Sequence, residues 1–177
     1  MSRKPPVIAF PAPGPAQSKP TLGLAVQYAM AAPELPRAKL RRWALRAVEY
    51  TAAHEFQRLE TPRFARVELT LRLVDAEEGR ELNRQFRERD YATNVLTFEY
   101  GVDPEGTASG DIVLCLPVLH REAGEQGKPV SAHAAHLVVH GVLHALGYDH
   151  LDDEEAHDME ALETRILASL RMPDPYR

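Results

Sequence analysis

Three histidines stand at spacings of four and six residues in the run His140-Gly141-Val142-Leu143-His144-Ala145-Leu146-Gly147-Tyr148-Asp149-His150. On an α-helix, residues four apart lie one above the other, roughly 5.4 Å apart, so His140 and His144 can aim their rings at one point. Gly147 offers the means to add a third. Glycine readily takes the left-handed conformation that ends helices, so the chain can reverse through Tyr148 and Asp149 and bring His150 back toward the other two. Three neutral imidazoles with a fourth coordination position open form the usual ligand set of catalytic rather than structural zinc. One Zn²⁺ per chain is therefore expected, although the same donors also suit nickel, copper or iron.

The segment Ala134 to Leu146 is apolar on nearly every side apart from its histidines, which predicts a buried helix. Buried imidazoles need polar partners, and a cation supplies them together. His133 and His136 extend the same stripe, because positions 133, 136, 140 and 144 fall within about 80° of arc at 100° per residue. His136 is thus either a fourth ligand or a partner behind the ligands. A zincin peptidase would carry glutamate at position 141 as general base, within His-Glu-x-x-His. Gly141 stands there instead, which argues against peptidase chemistry and leaves the base unassigned.

The elements that must position these residues follow from hydrophobic periodicity. Leu22 to Gln27 reads as a short strand, and Pro36 opens a helix running through Leu40, Trp43, Ala44, Ala47 and Val48. Val67, Leu69, Leu71 and Leu73 alternate with polar residues as in a strand with one buried face. Asp75 is the expected N-cap of a helix from Ala76 to Phe86, followed by a strand from Val95 to Phe98, a turn at Asp103–Gly106 and a strand from Asp111 to Cys115. Pro117 opens a helix to Gly127, Ser131 is expected to cap the histidine helix, and Asp152 or Asp153 caps a last helix ending near Leu170. Strands early and helices late predict a single α+β domain, with a sheet of about four strands packed against about five helices, the buried histidine helix among them.

Residues 1–20 are rich in proline and lack the apolar core of a signal peptide, so they read as a disordered tail before a single domain over residues 21–177. The longest apolar stretch, Leu137 to Leu146, is interrupted by histidines and too short to span a bilayer, so no membrane partner is expected. The lone Cys115 excludes an internal disulfide, and a cytoplasmic location follows. The net charge of −5 hides a segregation: residues 37–90 hold thirteen Lys or Arg against ten Asp or Glu, whereas residues 91–177 hold five against fifteen. Arg80, Arg84 and Arg87 share one helix face, for which pairing with Glu77, Glu78, Glu81 and Glu88 is the simplest account. The acidic run from Asp152 to Glu163 reads as the solvent side of the last helix.

Three blocks together resemble the YbeY family of metal-dependent endoribonucleases, also described as rRNA maturation factors. They are Asn83 to Asp90 followed by Thr93-Asn94-Val95-Leu96-Thr97-Phe98, then Gly110-Asp111-Ile112, then His136 through His150 with the acidic residues after it. The family's pattern His-Gly-x-Leu-His-x-x-Gly-Tyr-Asp-His is met at every fixed position from His140 to His150, and the likeness extends from about residue 22 to 175. The resemblance implies that His140, His144 and His150 bind zinc and that Arg87 occupies the position of an essential arginine. It implies cleavage of single-stranded RNA in 16S rRNA 3′-end maturation and ribosome quality control, with the small ribosomal subunit, its proteins and the Era GTPase as partners.

A phosphodiester under attack gathers negative charge on its non-bridging oxygens, which a guanidinium fork and a metal ion both stabilise. Without the resemblance Arg87 would be a helix-end arginine favouring the dipole. Secondary candidates are Asp149, which could accept an N–H from a ligand imidazole or simply order the turn, Asp111, which more simply orders a strand edge, Tyr148, which could stack on a base or pack into the turn, and Arg84, beside Arg87. The competing reading is a non-catalytic ribosome-assembly factor whose metal holds the fold together.

Overall fold

The computed structural model of the chain describes residues 19–60 and 62–177. The proline-rich tail expected over residues 1–20 falls almost wholly outside the described residues. The elements run β1 (Thr21–Tyr28), α1 (Arg37–Leu59), β2 (Arg66–Val74), α2 (Ala76–Arg87), β3 (Val95–Val102), β4 (Thr107–Cys115), α3 (Leu116–Glu125), α4 (Val130–Ala145) and α5 (Asp153–Ser169). This is an α+β domain of four strands and five helices, in the order that the periodicity predicts.

The sheet order is β1-β2-β4-β3, with β1, β2 and β4 parallel and β3 antiparallel to β4 at the edge. Each strand sends alternate side chains to opposite faces, and the two faces differ sharply. Toward α1, α4 and α5 point Val67, Leu69, Leu71, Leu73, Ala108, Ile112 and Leu114, all inside the main core. Toward α2 and the start of α3 point Val74, Leu96, Val113 and Cys115, which with Val118 make a much smaller cluster. Chemistry-bearing residues come from both: the histidines from the thick side, Arg87 from the end of α2 on the thin side.

Helix α4 runs through the thick layer. Val138, Val139, Val142 and Leu143 have no exposed surface, and each such side chain contributes about 1.5–3 kcal/mol relative to leaving it in water. Packing of this size seats the helix without help from a ligand. Two glycines set how closely it lies on the sheet. A Cβ at Gly110 would stand 2.9 Å from Ala145 Cβ, and a Cβ at Gly141 would stand 2.7 Å from Ile112 Cγ2, so the helix and β4 touch through mutually vacated positions one turn apart. The short Gly110-Asp111-Ile112 block is thus the strand half of a helix–strand contact.

The caps agree with expectation at two of three sites. Asp75 accepts from the Glu78 amide at 2.9 Å, and Asp152 accepts from the Glu155 amide at 2.8 Å. Ser131 is not the cap of the histidine helix. Pro129 occupies that position in an extended conformation and Val130 is the first helical residue, so Ser131 already lies in the first turn. Likewise Pro36 precedes the first turn of α1, and that helix continues eleven residues past Val48 to Leu59.

Candidate metal centre and its groove

At the end of α4 the chain stops in a Schellman arrangement. Gly147 adopts φ 90°, its amide donates to the His144 carbonyl at 3.0 Å, and the Tyr148 amide donates to the Leu143 carbonyl at 3.0 Å. Leu146's own carbonyl accepts from Arg63 Nη2 at 2.7 Å, and Arg63 is held by the buried Glu55 of α1 through a 2.9 Å bond from Nε. The turn is therefore anchored to a neighbouring helix. It delivers His150 to within 5.1 Å of the His144 ring and 6.2 Å of the His140 ring, centroid to centroid.

His140, His144 and His150 each offer a nitrogen, and these three atoms lie within 4.8 Å of one another. The Nε2 atoms of His140 and His144 are 3.0 Å apart, close to the ~3.3 Å that two nitrogens about 2.05 Å from a tetrahedral zinc would show. The donor set and its spacing fit a divalent metal. Burial, reinforced by the nearby His140 and His150, pushes the His144 imidazole down to about 4. His144 is therefore neutral at pH 7, as a ligand must be.

Behind His140 lies a carboxylate that the sequence reading assigns to solvent. Glu163 of α5 is fully buried, not on the exposed face, and its Oε1 is 2.6 Å from His140 Nδ1. Its other oxygen accepts the Tyr176 hydroxyl and lies 3.5 Å from His136 Nε2. Burial works against the Glu163 charge, but the adjacent His136 and the bonds from His140 and Tyr176 outweigh it and hold the carboxyl down at about 2. Tyr176 is pushed well above the usual phenol range by burial and by Glu163. The signal for Glu163 was available in periodicity: Met159, Leu162, Glu163, Ile166 and Leu167 are the buried residues of α5, a single i, i+3, i+4, i+7, i+8 stripe. The adjacent run of acidic residues obscured it.

A groove of about 560 Å³ opens in front of the histidines, and its walls include Arg87, Arg89, Tyr91, Thr97, Glu99, Tyr148 and Asp149. Arg87, the last residue of α2, is exposed; one of its N–H groups donates to the Thr97 carbonyl at 3.1 Å, and it forms no ion pair among the described residues. The neighbouring arginines are engaged instead. Arg84 pairs with Glu81 at 2.8 Å and does not line the groove, and Arg80 pairs with Asp90 at 2.8 Å rather than with the glutamates expected for it. Glu78 pairs with Arg72 of β2.

The remaining candidates separate cleanly. Tyr148 lines the groove, but its hydroxyl bonds His54 Nδ1 at 2.9 Å, and burial with the nearby Glu55 charge pushes it up to about 12. Asp149 accepts from the His150 amide at 2.8 Å, the role of a turn residue. Asp111 accepts the Tyr100 hydroxyl at 2.7 Å and is outside the groove, as is His136, which lies on the Glu163 side of His140. A Cβ at position 141 would stand 2.7 Å from Ile112 Cγ2 and 3.4 Å from Thr97 Oγ1, so that position is spent on the contact of α4 with the sheet.

The family model described as Endoribonuclease YbeY matches residues 26–171. The chain belongs to the YbeY family. Relatives named Endoribonuclease YbeY include one from Bordetella avium, 61% identical over 89% of this chain and 95% of its own length, and one from Bordetella petrii, 62% identical over 89% and 98%. A relative from Thiobacillus denitrificans is 48% identical over 89% of this chain and 97% of its own. The solution structure of a Thermotoga maritima protein shares the fold with a TM-score of 0.54 at 22% identity, covering 87% of this chain and 99% of that one. The YbeY match spans α1 to α5 and so contains all three histidines and Arg87, but it ends before Tyr176.

Proposed function

We propose that this protein is a zinc-dependent endoribonuclease selective for single-stranded RNA, acting in 16S rRNA 3′-end maturation and ribosome quality control from the cytoplasm. The domain responsible spans residues 21–177, and its partners are the small ribosomal subunit, its proteins and the Era GTPase. Membership of a family whose members are named endoribonucleases supports the reaction class. No helix among the described residues is long and apolar enough to cross a membrane, which is compatible with a ribosomal partner.

The observation that carries the reading is the joint lining of one groove by three convergent imidazoles and an arginine free of any carboxylate. His140, His144 and His150 hold the metal, and its bound form supplies Lewis-acid stabilisation of phosphoryl charge and acidification of water. Arg87 binds the scissile phosphate. Its guanidinium has five N–H donors and spends one on Thr97, so a bidentate pair remains for two non-bridging oxygens as charge develops there. The Thr97 contact fixes the fork without neutralising it. Asp149 orders the backbone entering His150, and the Gly147 turn sets that ligand's distance from the helix.

Purified protein is to be incubated with single-stranded and duplex RNA, with and without a chelator, beside folded His144→Ala and Arg87→Ala variants. Cleavage of the single strand alone, abolished by chelator and by either substitution, is the expected result. Cleavage indifferent to all three would reject the assignment, and chelation that unfolds the protein without any cleavage would favour the assembly-factor reading.

A further inference from the structure

The segment after α5 reaches back to the metal centre. Lys128 Nζ donates to the Pro175 carbonyl at 3.0 Å, and the Asp174 carboxylate accepts from the Tyr176 amide at 2.9 Å, which fixes the segment against the start of α4. From there the Tyr176 ring packs edge-on against His136 at 5.6 Å between centroids, and its hydroxyl donates to Glu163 Oε2.

With Glu163 as a carboxylate, the contacts place the protons. An ionised carboxylate has acceptors alone, so Oε2 takes the Tyr176 proton and Oε1 takes a proton from His140 Nδ1. A neutral imidazole carrying its proton on Nδ1 presents a lone pair on Nε2. That atom is the one facing His144 at 3.0 Å. Without the Tyr176 hydroxyl, the second oxygen of this fully buried carboxylate would keep only the 3.5 Å contact with His136, and the hydroxyl holds it in the orientation that faces His140.

We infer that Glu163 and Tyr176 are positioning residues that fix His140 in the tautomer and orientation competent to bind the metal, and that residues 172–177 are therefore a working part of the metal centre. The inference rests on the three-histidine metal site of the proposed function. It assigns a role to Tyr176, which stands beyond the 26–171 region shared with the family model.

The test measures metal affinity directly, by competition of the full chain with a chromophoric zinc chelator, and reads the tautomer of His140 from its imidazole ¹⁵N shifts in the metal-free protein. Glu163→Gln is expected to weaken zinc binding by about 10–100-fold, the usual consequence of losing a partner behind a ligand. Tyr176→Phe keeps the ring packed on His136 and removes only the hydroxyl; a loss of about 3–10-fold is expected, with a measurable shift of His140 toward the Nε2-protonated form. If Tyr176→Phe binds zinc as the parent does while Tyr176→Ala does not, the segment serves packing alone and the inference is overturned. Unchanged affinity in Glu163→Gln overturns it as well. A parent chain that takes up no zinc fails the metal reading itself, and the inference with it.

Discussion

The two faces of the sheet have been built to different standards. On one, α1, α4 and α5 bury an extensive core around a helix whose inward positions are fully enclosed. On the other, α2 rests on a handful of residues and leaves Phe86 53% and Tyr100 63% exposed. The proposed ligands come from the first and the arginine proposed to bind phosphate from the second, and they meet at β3, the edge strand whose Thr97 carbonyl holds Arg87. A metal site needs several donors held to a few tenths of an ångström, which only dense packing supplies. An arginine that must meet a flexible polymer needs exposure, and a thin layer provides it.

This contrast can be broken most severely at the ligands. His144→Ala should abolish zinc binding and lower RNA cleavage by about 10³-fold or more, since the metal's contribution is several kcal/mol and each 1.36 kcal/mol is tenfold. The fold should survive, because α4 is seated by Val138, Val139, Val142 and Leu143; cleavage kinetics with metal analysis and circular dichroism check both halves. Arg87→Ala should reduce the cleavage step by about 10²–10³-fold, the loss typical of one preorganised donor, and leave the melting temperature unchanged. A large stability loss there would show that the thin face is not merely a platform.

Matched glycine substitutions compare the packing of the two faces directly. Gly141→Ala places a Cβ 2.7 Å from Ile112 and should cost about 1–3 kcal/mol in denaturant unfolding. Gly79→Ala on α2 meets Cys115 Sγ at a looser 3.0 Å; both glycines are helical and gain the same propensity of about 1 kcal/mol, so Gly79→Ala should stay within about 1 kcal/mol of the parent. Equal costs would erase the distinction. Acidification should act through the thick face: His144 is held at about 4 against an ordinary 6.5, so between these values the unfolded chain binds a proton that the folded chain does not. Stability of the metal-free protein should therefore rise with pH across that window and flatten above it, as urea midpoints would reveal, with His144→Ala losing part of the slope. The smallest effect belongs to Tyr148→Phe, which removes one bond to His54 and should cost about 0.5–1.5 kcal/mol with cleavage nearly unchanged. A large loss of cleavage would give the hydroxyl, rather than the ring, a part in the reaction.

Elements with a strong period were readable from the chain: β2 alternates at Val67, Leu69, Leu71 and Leu73, and α4 is a continuous apolar helix interrupted by histidines. The end of α1 was not, since what it buries is Thr51, Ala52 and Glu55, the last braced to Arg63, while the apolar Phe56 and Leu59 stay exposed. The convergence of three histidines could be inferred because all the geometry is local, one helical turn and one glycine turn. Glu163 was legible only as an inward position, from the stripe it shares with Met159, Leu162, Ile166 and Leu167; that it meets His140, 23 residues away, and that Tyr176 meets Glu163 were not, because those contacts are long-range. Ser131 misled for the opposite reason: a favourable local cap was overridden by Pro129, whose fixed φ starts the helix earlier.

Gly141 bears on how this enzyme family relates to its neighbours in mutational space. A glutamate at this one position would complete the peptidase signature His-Glu-x-x-His. That change meets the strand residue across from it, since Ile112 Cγ2 lies 2.7 Å from where a first side-chain carbon would stand. A lineage drifting toward that chemistry would first have to give up a core contact, and the two activities are kept apart by a residue that belongs to neither.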